Sequence, residues 1–289
     1  MKINTSGAQP YAVPGTAIAP FLLITFGIAW GILALYIFWP GPMGGLFGDI
    51  SGYHPLFILA VWAPAIAAFI LILHDGGWAG LRRFLSRILL WRCHPAWYGF
   101  LVALPLMFYA GSAVKGNLFT DPLPFTSGTA LLSAIAMTFI LGPVEELGWR
   151  GLALPILQRR LAPIGAALLL GVVWGVWHLP AFLLSGTPQS AWSFTPLLVG
   201  SVALSLMVTP LFNASRGSLL LPYLFHLQLI NPIWPDAQPY DMIFVVAVAL
   251  VVVVLNRKTM FRRTGAVTQV IPAAVPRELP GDLTGGTSP

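Results

Sequence analysis

The stretch GTALLSAIAMTFILGPVEELGWRGLALPILQ, residues 128–158, decides the fold. It is apolar for longer than the roughly 20 residues one membrane crossing needs, and its only ionisable side chains are Glu145, Glu146 and Arg150. Hydrocarbon penalises ionisable groups, so a carboxylate pair at membrane depth marks a functional site by default. Proline lacks the N–H that a helix interior requires, so Gly142-Pro143 predicts a kink or a restart inside the run. Glu145 and Glu146 then fall in the first turn of the second half-helix, where freed backbone groups and the positive dipole end favour anions.

Outward from this stretch, seven more apolar runs are predicted as spans: residues 16–39, 55–73, 97–114, 163–184, 194–212, 218–231 and 241–256. The expected fold is therefore all-α, a polytopic transmembrane helix bundle of about eight membrane spans. Composition agrees, since hydrophobic residues make up 57% of the 289-residue chain and charged residues only 8%, against about 25% charged in a soluble domain. The first run is longer than the roughly 7–15 residues of a signal-peptide core, and no small-x-small cleavage site follows it. It is read as a retained span.

Fifteen Lys and Arg against nine Asp and Glu give a net charge of +6. The basic residues form no single patch of the kind that binds nucleic acid. They cluster in alternate connections instead: Arg82, Arg83, Arg87 and Arg92; Arg159 and Arg160; Arg216; then Arg257, Lys258, Arg262 and Arg263. Lys115 is the only basic residue of the other connections. By the positive-inside rule, this places both termini in the cytoplasm. Three regions follow: a disordered cytoplasmic N-terminus over 1–15, a transmembrane bundle over 16–258 with a motif-bearing core at 128–231, and a disordered cytoplasmic tail over 259–289. Both ends are rich in Pro, Gly, Ser and Thr. Cys93 is the single cysteine, which excludes an intramolecular disulfide and a cysteine zinc cluster.

The intramembrane ionisable residues are Glu145, Glu146, Arg150, His178 and His226, spread over three spans. At about 1.5 Å per residue they lie roughly 15–25 Å from the cytoplasmic ends of those spans, close enough in depth to converge on one cavity. Glu146 and Arg150 are four apart and share a helix face as a natural ion pair. Packing alone accounts for such a pair. Glu145 is rotated by about 100° from Glu146 and is free to act as a general base. Trp174 and His178 are also four apart, which packs the indole over the imidazole. His54, His74 and His94 fall in predicted loops, where solvation accounts for them.

The ordered set EExxxR (Glu145, Glu146, Arg150), aromatic-xxx-His (Trp174, His178 in GVVWGVWHLP) and a later His near an Asn (His226, Asn231 in SLLLPYLFHLQLIN) resembles the CAAX-protease and bacteriocin-processing (CPBP) family of intramembrane endopeptidases. The resemblance covers residues 128–231. Two positions depart from the usual pattern. Trp174 stands where Phe is common, a change that keeps the aromatic face. Asn231 follows His226 by five residues where four are usual, and a five-residue offset turns it about 140° away on an ideal helix, against about 40° for four.

The resemblance implies peptide hydrolysis within the membrane. Glu145, helped by His178, would activate a water, while His226 and Asn231 would stabilise the oxyanion. Glu146, Arg150 and Trp174 would support them. No cofactor is required on this reading. The alternative is metalloprotease-like: a divalent metal such as zinc, held by Glu145, His178 and His226, although the chain has no HExxH. The implied partners are membrane lipids and a prenylated or otherwise hydrophobic peptide or protein substrate, with no nucleic acid, and the implied location is a bacterial cell membrane. Two other functions compete: a non-catalytic binding or bacteriocin-immunity protein of the same family, and a proton-coupled transporter built on mid-depth Glu and His.

Overall fold

Prolines set many of the helix boundaries. The computed structural model describes residues 12–119, 125 and 127–273. Helix α1 (Ile18–Phe38) is followed by the short α2 (Pro40–Phe47), which no span prediction anticipates. α3 (Pro55–Leu85) and α4 (Pro95–Ala103) each begin at a proline, whose missing N–H costs nothing there. His54 and His94 precede them and accept at Nδ1 from the N–H groups of Leu56 and Ala96, both at 3.2 Å. These two histidines are thus N-caps as well as loop residues.

α4 continues into α5 (Leu106–Lys115), and α6 (Gly128–Ile140) leads to a broken segment: α7 (Glu145–Gly148), a π-turn (Trp149–Ala153) and α8 (Leu154–Gln158). Then come α9 (Pro163–Trp177), α10 (Phe194–Ala214), α11 (Leu220–Leu229), α12 (Asp241–Leu255) and α13 (Arg257–Met260). The described residues contain no strand. All eight expected runs are helical, and six segments are long and apolar enough to cross a membrane. The other two, α11 and α12, are shorter. α11 has ten residues, about 15 Å of rise, so by itself it reaches through only half of a roughly 30 Å hydrocarbon layer.

In the bundle, α1 lies along α3, α9 along α10, and α10 along α12. Lipid-embedded helices gain no hydrophobic drive from meeting each other, so close backbone approach through small residues holds them together. A Cβ on Gly171 would stand 2.6 Å from Val202 Cα, and one on Gly175 2.6 Å from Leu198 Cδ1. α7 meets α3 in the same way, at the proline inside α3. A Cβ on Gly148 would come within 2.4 Å of the Pro64 carbonyl oxygen.

The fold gathers the expected arginine clusters at one end. Arg87 Nε donates to the Gly217 carbonyl at 2.7 Å, and Arg263 Nη1 to that of Arg159 at 3.1 Å. The opposite end joins the other connections, through a Gly52 N–H bond to the Gly186 carbonyl at 3.2 Å and a Lys115–Asp236 ion pair.

The disorder expected of the tail does not hold for the stretch near residues 266–273. Val270 and Ile271 are buried, and the backbone carbonyls of Val267, Thr268 and Val270 accept from Gln158, Arg159 and Arg87 at 2.8, 3.0 and 2.9 Å. Composition weighs the Pro, Gly, Ser and Thr of the whole tail, but the apolar Val267, Val270 and Ile271 and a ladder of carbonyls decide the packing of this stretch. Arg159 Nη1 also donates to the Val13 carbonyl at 2.8 Å, and Val13 is buried, so the described end of the N-terminal region packs there too. Residues 1–11 and 274–289, the remainder of both disorder expectations, lie outside the described residues.

Candidate active site

The site is built on the break between α6 and α7. Leu141 is extended, and the turn Gly142–Val144 hands the chain to α7 at Glu145. The last carbonyls of α6 have no helical partner beyond the break. Trp62 Nε1 donates to that of Ile140 at 2.9 Å, and the Tyr223 hydroxyl donates to that of Phe139. Gly142 has φ +35°, in the left-handed half of conformational space that side chains resist. Space requires glycine there as well, because a Cβ would lie 2.7 Å from Ile230 Cδ1 and 2.8 Å from His226 Nε2. The predicted kink is therefore also the seat of the second histidine.

Two hydrogen-bonded chains run from the carboxylate pair. In the first, Glu146 Oε1 accepts from Arg150 Nη1 at 3.0 Å and from His226 Nδ1 at 2.7 Å, all three side chains being buried. A carboxylate only accepts, so His226 Nδ1 carries a proton and Nε2 faces the Gly142 turn. In the second chain, Trp174 Nε1 donates to Glu145 Oε2 at 2.8 Å, and His178 Nδ1 meets the Trp174 carbonyl at 2.8 Å. A carbonyl also only accepts, so the neutral His178 ring has its proton on Nδ1 and presents a lone pair at Nε2.

The Trp174 ring ties the two chains together. The Arg150 guanidinium lies 4.6 Å from its centroid, and the rings of His178 and His226 lie 5.8 and 5.5 Å away. Packing of indole on imidazole was legible from the four-residue spacing. The bond to Glu145 was not, and it makes Trp174 more than an aromatic face in place of Phe: phenylalanine has no N–H to offer the carboxylate.

Glu145 and His178 line one small cavity of about 40 Å³, room for a water molecule or two. α1 and α3 supply its apolar wall, including Leu33, Phe57 and Ala60, and Gln189 and Trp177 complete it. Glu145 Oε1 accepts no hydrogen bond among the described residues. It is the oxygen left for a water. Glu146 Oε2 and Arg150 Nε are buried and also lack a partner among the described residues.

Asn231 stands apart from these chains. α11 ends at Leu229, and Asn231 Oδ1 accepts from the Ile233 N–H at 3.1 Å, which leaves its Nδ2 without a partner among the described residues. No hydrogen bond joins it to His226. The pairing of the histidines also differs from the sequence reading in one respect. His226 bonds to Glu146, a third partner beside the expected Glu146–Arg150 pair, because α11 crosses at the Gly142 turn and reaches the Glu146 face of α7. As for a metal, no group of three His, Cys, Asp or Glu side chains among the described residues is placed to hold an ion. Glu145, His178 and His226 form no such group here, although the indole takes only Oε2 of Glu145 and both histidines are held through Nδ1, as metal-binding histidines usually are.

Sequence reading missed Gln189, whose Oε1 is buried without a partner among the described residues, and the α1 and α3 wall. Neither carries a motif; their place on the cavity is visible only once the helices are packed. Trp177 was missed as well, although it neighbours the His178 motif. Its ring packs 4.8 Å from His178, and its carbonyl accepts from Trp30 Nε1 at 3.1 Å.

The sequence model of the type II CAAX prenyl endopeptidase Rce1-like family matches residues 127–231. The chain is also similar to CAAX prenyl protease 2 of Methanococcus maripaludis, 26% identical over an alignment of 153 residues that covers 49% of this chain and 56% of that protein. The match thus spans little more than half of the relative. The matched segment runs from the start of α6 to Asn231 and contains both hydrogen-bonded chains. Together with the all-helical, membrane-embedded fold, these likenesses bear out the resemblance drawn from the three motifs and support the CAAX-protease and bacteriocin-processing family for this protein.

Proposed function

We propose that this integral membrane protein is an intramembrane endopeptidase, similar in activity to CAAX prenyl proteases, that hydrolyses peptide bonds of prenylated or membrane-embedded substrates. The observation that carries the proposal is the shared cavity: one oxygen of Glu145 free of protein donors, and His178 beside it, in a space the size of one or two waters. Glu145 takes a proton from a water held there, and the hydroxide attacks the scissile carbonyl. His178 shares in holding that water through Nε2. The His226 ring and Asn231 through Nδ2 stabilise the oxyanion. Collapse of the tetrahedral centre then returns the Glu145 proton to the leaving amine. Glu146 and Arg150 orient His226, and Trp174 holds the unused oxygen of Glu145. No step runs through a metal. The apolar wall of α1 and α3 supports a lipidated or strongly apolar substrate, and the arginine-bearing end of the bundle supports cytoplasmic termini.

The test is cleavage of prenylated and non-prenylated apolar fluorogenic peptides by the purified protein in lipid, beside Glu145→Gln and in the presence of a chelator. Cleavage that is lost in the variant and survives the chelator is the expected result. A folded wild type that cuts nothing would transfer the site to a binding role, with the five-residue offset of Asn231 as the reason. Activity that the chelator abolishes would bring back the metal.

A further inference from the structure

Arg87 is a buried cation without a carboxylate. Its side chain is 2% exposed, at the foot of α3 in the turn Ser86–Leu89. Three backbone carbonyls take its hydrogen bonds: Gly217 at 2.7 Å, Gly151 at 2.9 Å and Val270 at 2.9 Å. The rings of Phe84 and Phe212 lie 5.4 and 5.3 Å from the guanidinium carbon. Nη2 is buried with no hydrogen-bond partner among the described residues, and no Asp or Glu among them pairs with this arginine. Carbonyl dipoles satisfy donors but do not cancel a full charge, and burying an unbalanced charge is costly.

The space beside Arg87 is suited to an anion. Arg87 and Arg216 line a cavity of about 290 Å³ whose other wall is the tail segment, including Thr268 and Gln269. The volume is near the lower end of small-ligand pockets, roughly 300 Å³. Arg216 is exposed at the rim, and the cavity sits at the end of the bundle where the arginines gather. Arg87 keeps only Nη2 for an oxyanion, since Nε and Nη1 are taken by carbonyls, while the guanidinium fork of Arg216 offers several donors with more geometric specificity than a point charge.

We infer that this cavity, which shares no lining residue with the Glu145 cavity, binds a phosphate-bearing anion between Arg87 and Arg216 beside the tail. An anionic phospholipid headgroup and free phosphate share that chemistry, and the experiment separates them. Full-length protein in neutral detergent is unfolded thermally with added inorganic phosphate, with short-chain phosphatidylglycerol, and with short-chain phosphatidylcholine and sodium chloride at matched ionic strength as controls. The expected result is a rise in Tm of roughly 5 °C over the controls at a hundredfold excess over Kd, at least halved in Arg216→Gln. Arg216 is exposed, so that variant keeps its fold, whereas Arg87→Gln removes three buried hydrogen bonds and serves only as a second reading by native mass spectrometry of retained lipid. A rise with phosphatidylglycerol alone assigns the site to a headgroup, and a rise with phosphate as well assigns it to the phosphate group itself. No rise over the controls with either probe, or one equal in wild type and Arg216→Gln, overturns the inference.

Discussion

Trp174→Phe is the most discriminating change available in this site. It keeps an aromatic ring between Arg150 and the two histidines and removes, with part of the ring volume, the indole N–H that donates to Glu145 Oε2 at 2.8 Å. A hydrogen bond to an ionised acceptor contributes about 1.5–3 kcal/mol in a protein. Double-mutant cycles within a membrane protein average about 0.6 kcal/mol and reach about 1.7, because the unfolded chain in lipid finds other partners. A buried acceptor at 2.8 Å puts this pair at the upper end of the membrane range, about 1.5 kcal/mol. Both burial and a short distance favour that end over the average. The cycle of Trp174→Phe with Glu145→Ala, followed by reversible unfolding in mild detergent, isolates the pair from the volume lost with the indole. We expect a coupling of about 1.5 kcal/mol. In the cleavage assay Trp174→Phe should lower kcat/KM about tenfold, since 1.4 kcal/mol corresponds to a factor of ten and a loosened Glu145 holds its water less well. Additivity within about 0.3 kcal/mol, with cleavage unchanged, would refute the assignment of the indole as the donor that orients the base.

Three further outcomes follow from particular contacts. Gly142→Ala adds a Cβ at φ +35° against His226 Nε2 and Ile230; it should cost about 1–2 kcal/mol of backbone strain, leave the protein folded, and reduce cleavage tenfold or more, as single-turnover kinetics would show. Glu146→Gln leaves Arg150 buried without its ion pair and removes the ionised acceptor of His226; a loss of about 3–5 kcal/mol in unfolding free energy is expected, well above the loss for Glu145→Gln, whose only protein donor is one indole. Ending the chain after Thr264 strips the carbonyl acceptors of Gln158, Arg159 and Arg87 and the buried Val270 and Ile271; stability should fall by at least about 3 kcal/mol, measured by thermal unfolding, where a merely disordered tail would change nothing.

Much of the site was legible because membrane burial makes polar residues conspicuous. Glu145, Glu146, Arg150, His178 and His226 stand out against apolar spans, and the four-residue spacings of Glu146 with Arg150 and Trp174 with His178 predict shared faces that the structure retains. What spacing does not carry is the partner across helices. His226 goes to Glu146, and Trp174 reaches Glu145, because α7, α9 and α11 meet at angles and depths that no local pattern encodes. Asn231 illustrates the same limit from the other side: its five-residue offset is plain in the chain, and its bond to the Ile233 N–H is a local turn that only the fold past Leu229 displays.

From its sequence alone this chain determines that it is helical, that it lives in lipid, and where its carboxylates break an apolar run. These follow from local physics: hydropathy over a span, proline's missing N–H, and the cost of charge in hydrocarbon. Only the tertiary structure decides which carboxylate serves which histidine, that Gly142 leaves room for His226, and that the residues near 266–273 fold back to take the hydrogen bonds of Arg87 and Gln158. Those are contacts between groups distant in the chain, up to 183 residues apart for Arg87 and Val270. Their geometry is set by how whole helices pack, a sum over many small apolar contacts that no single stretch of sequence contains.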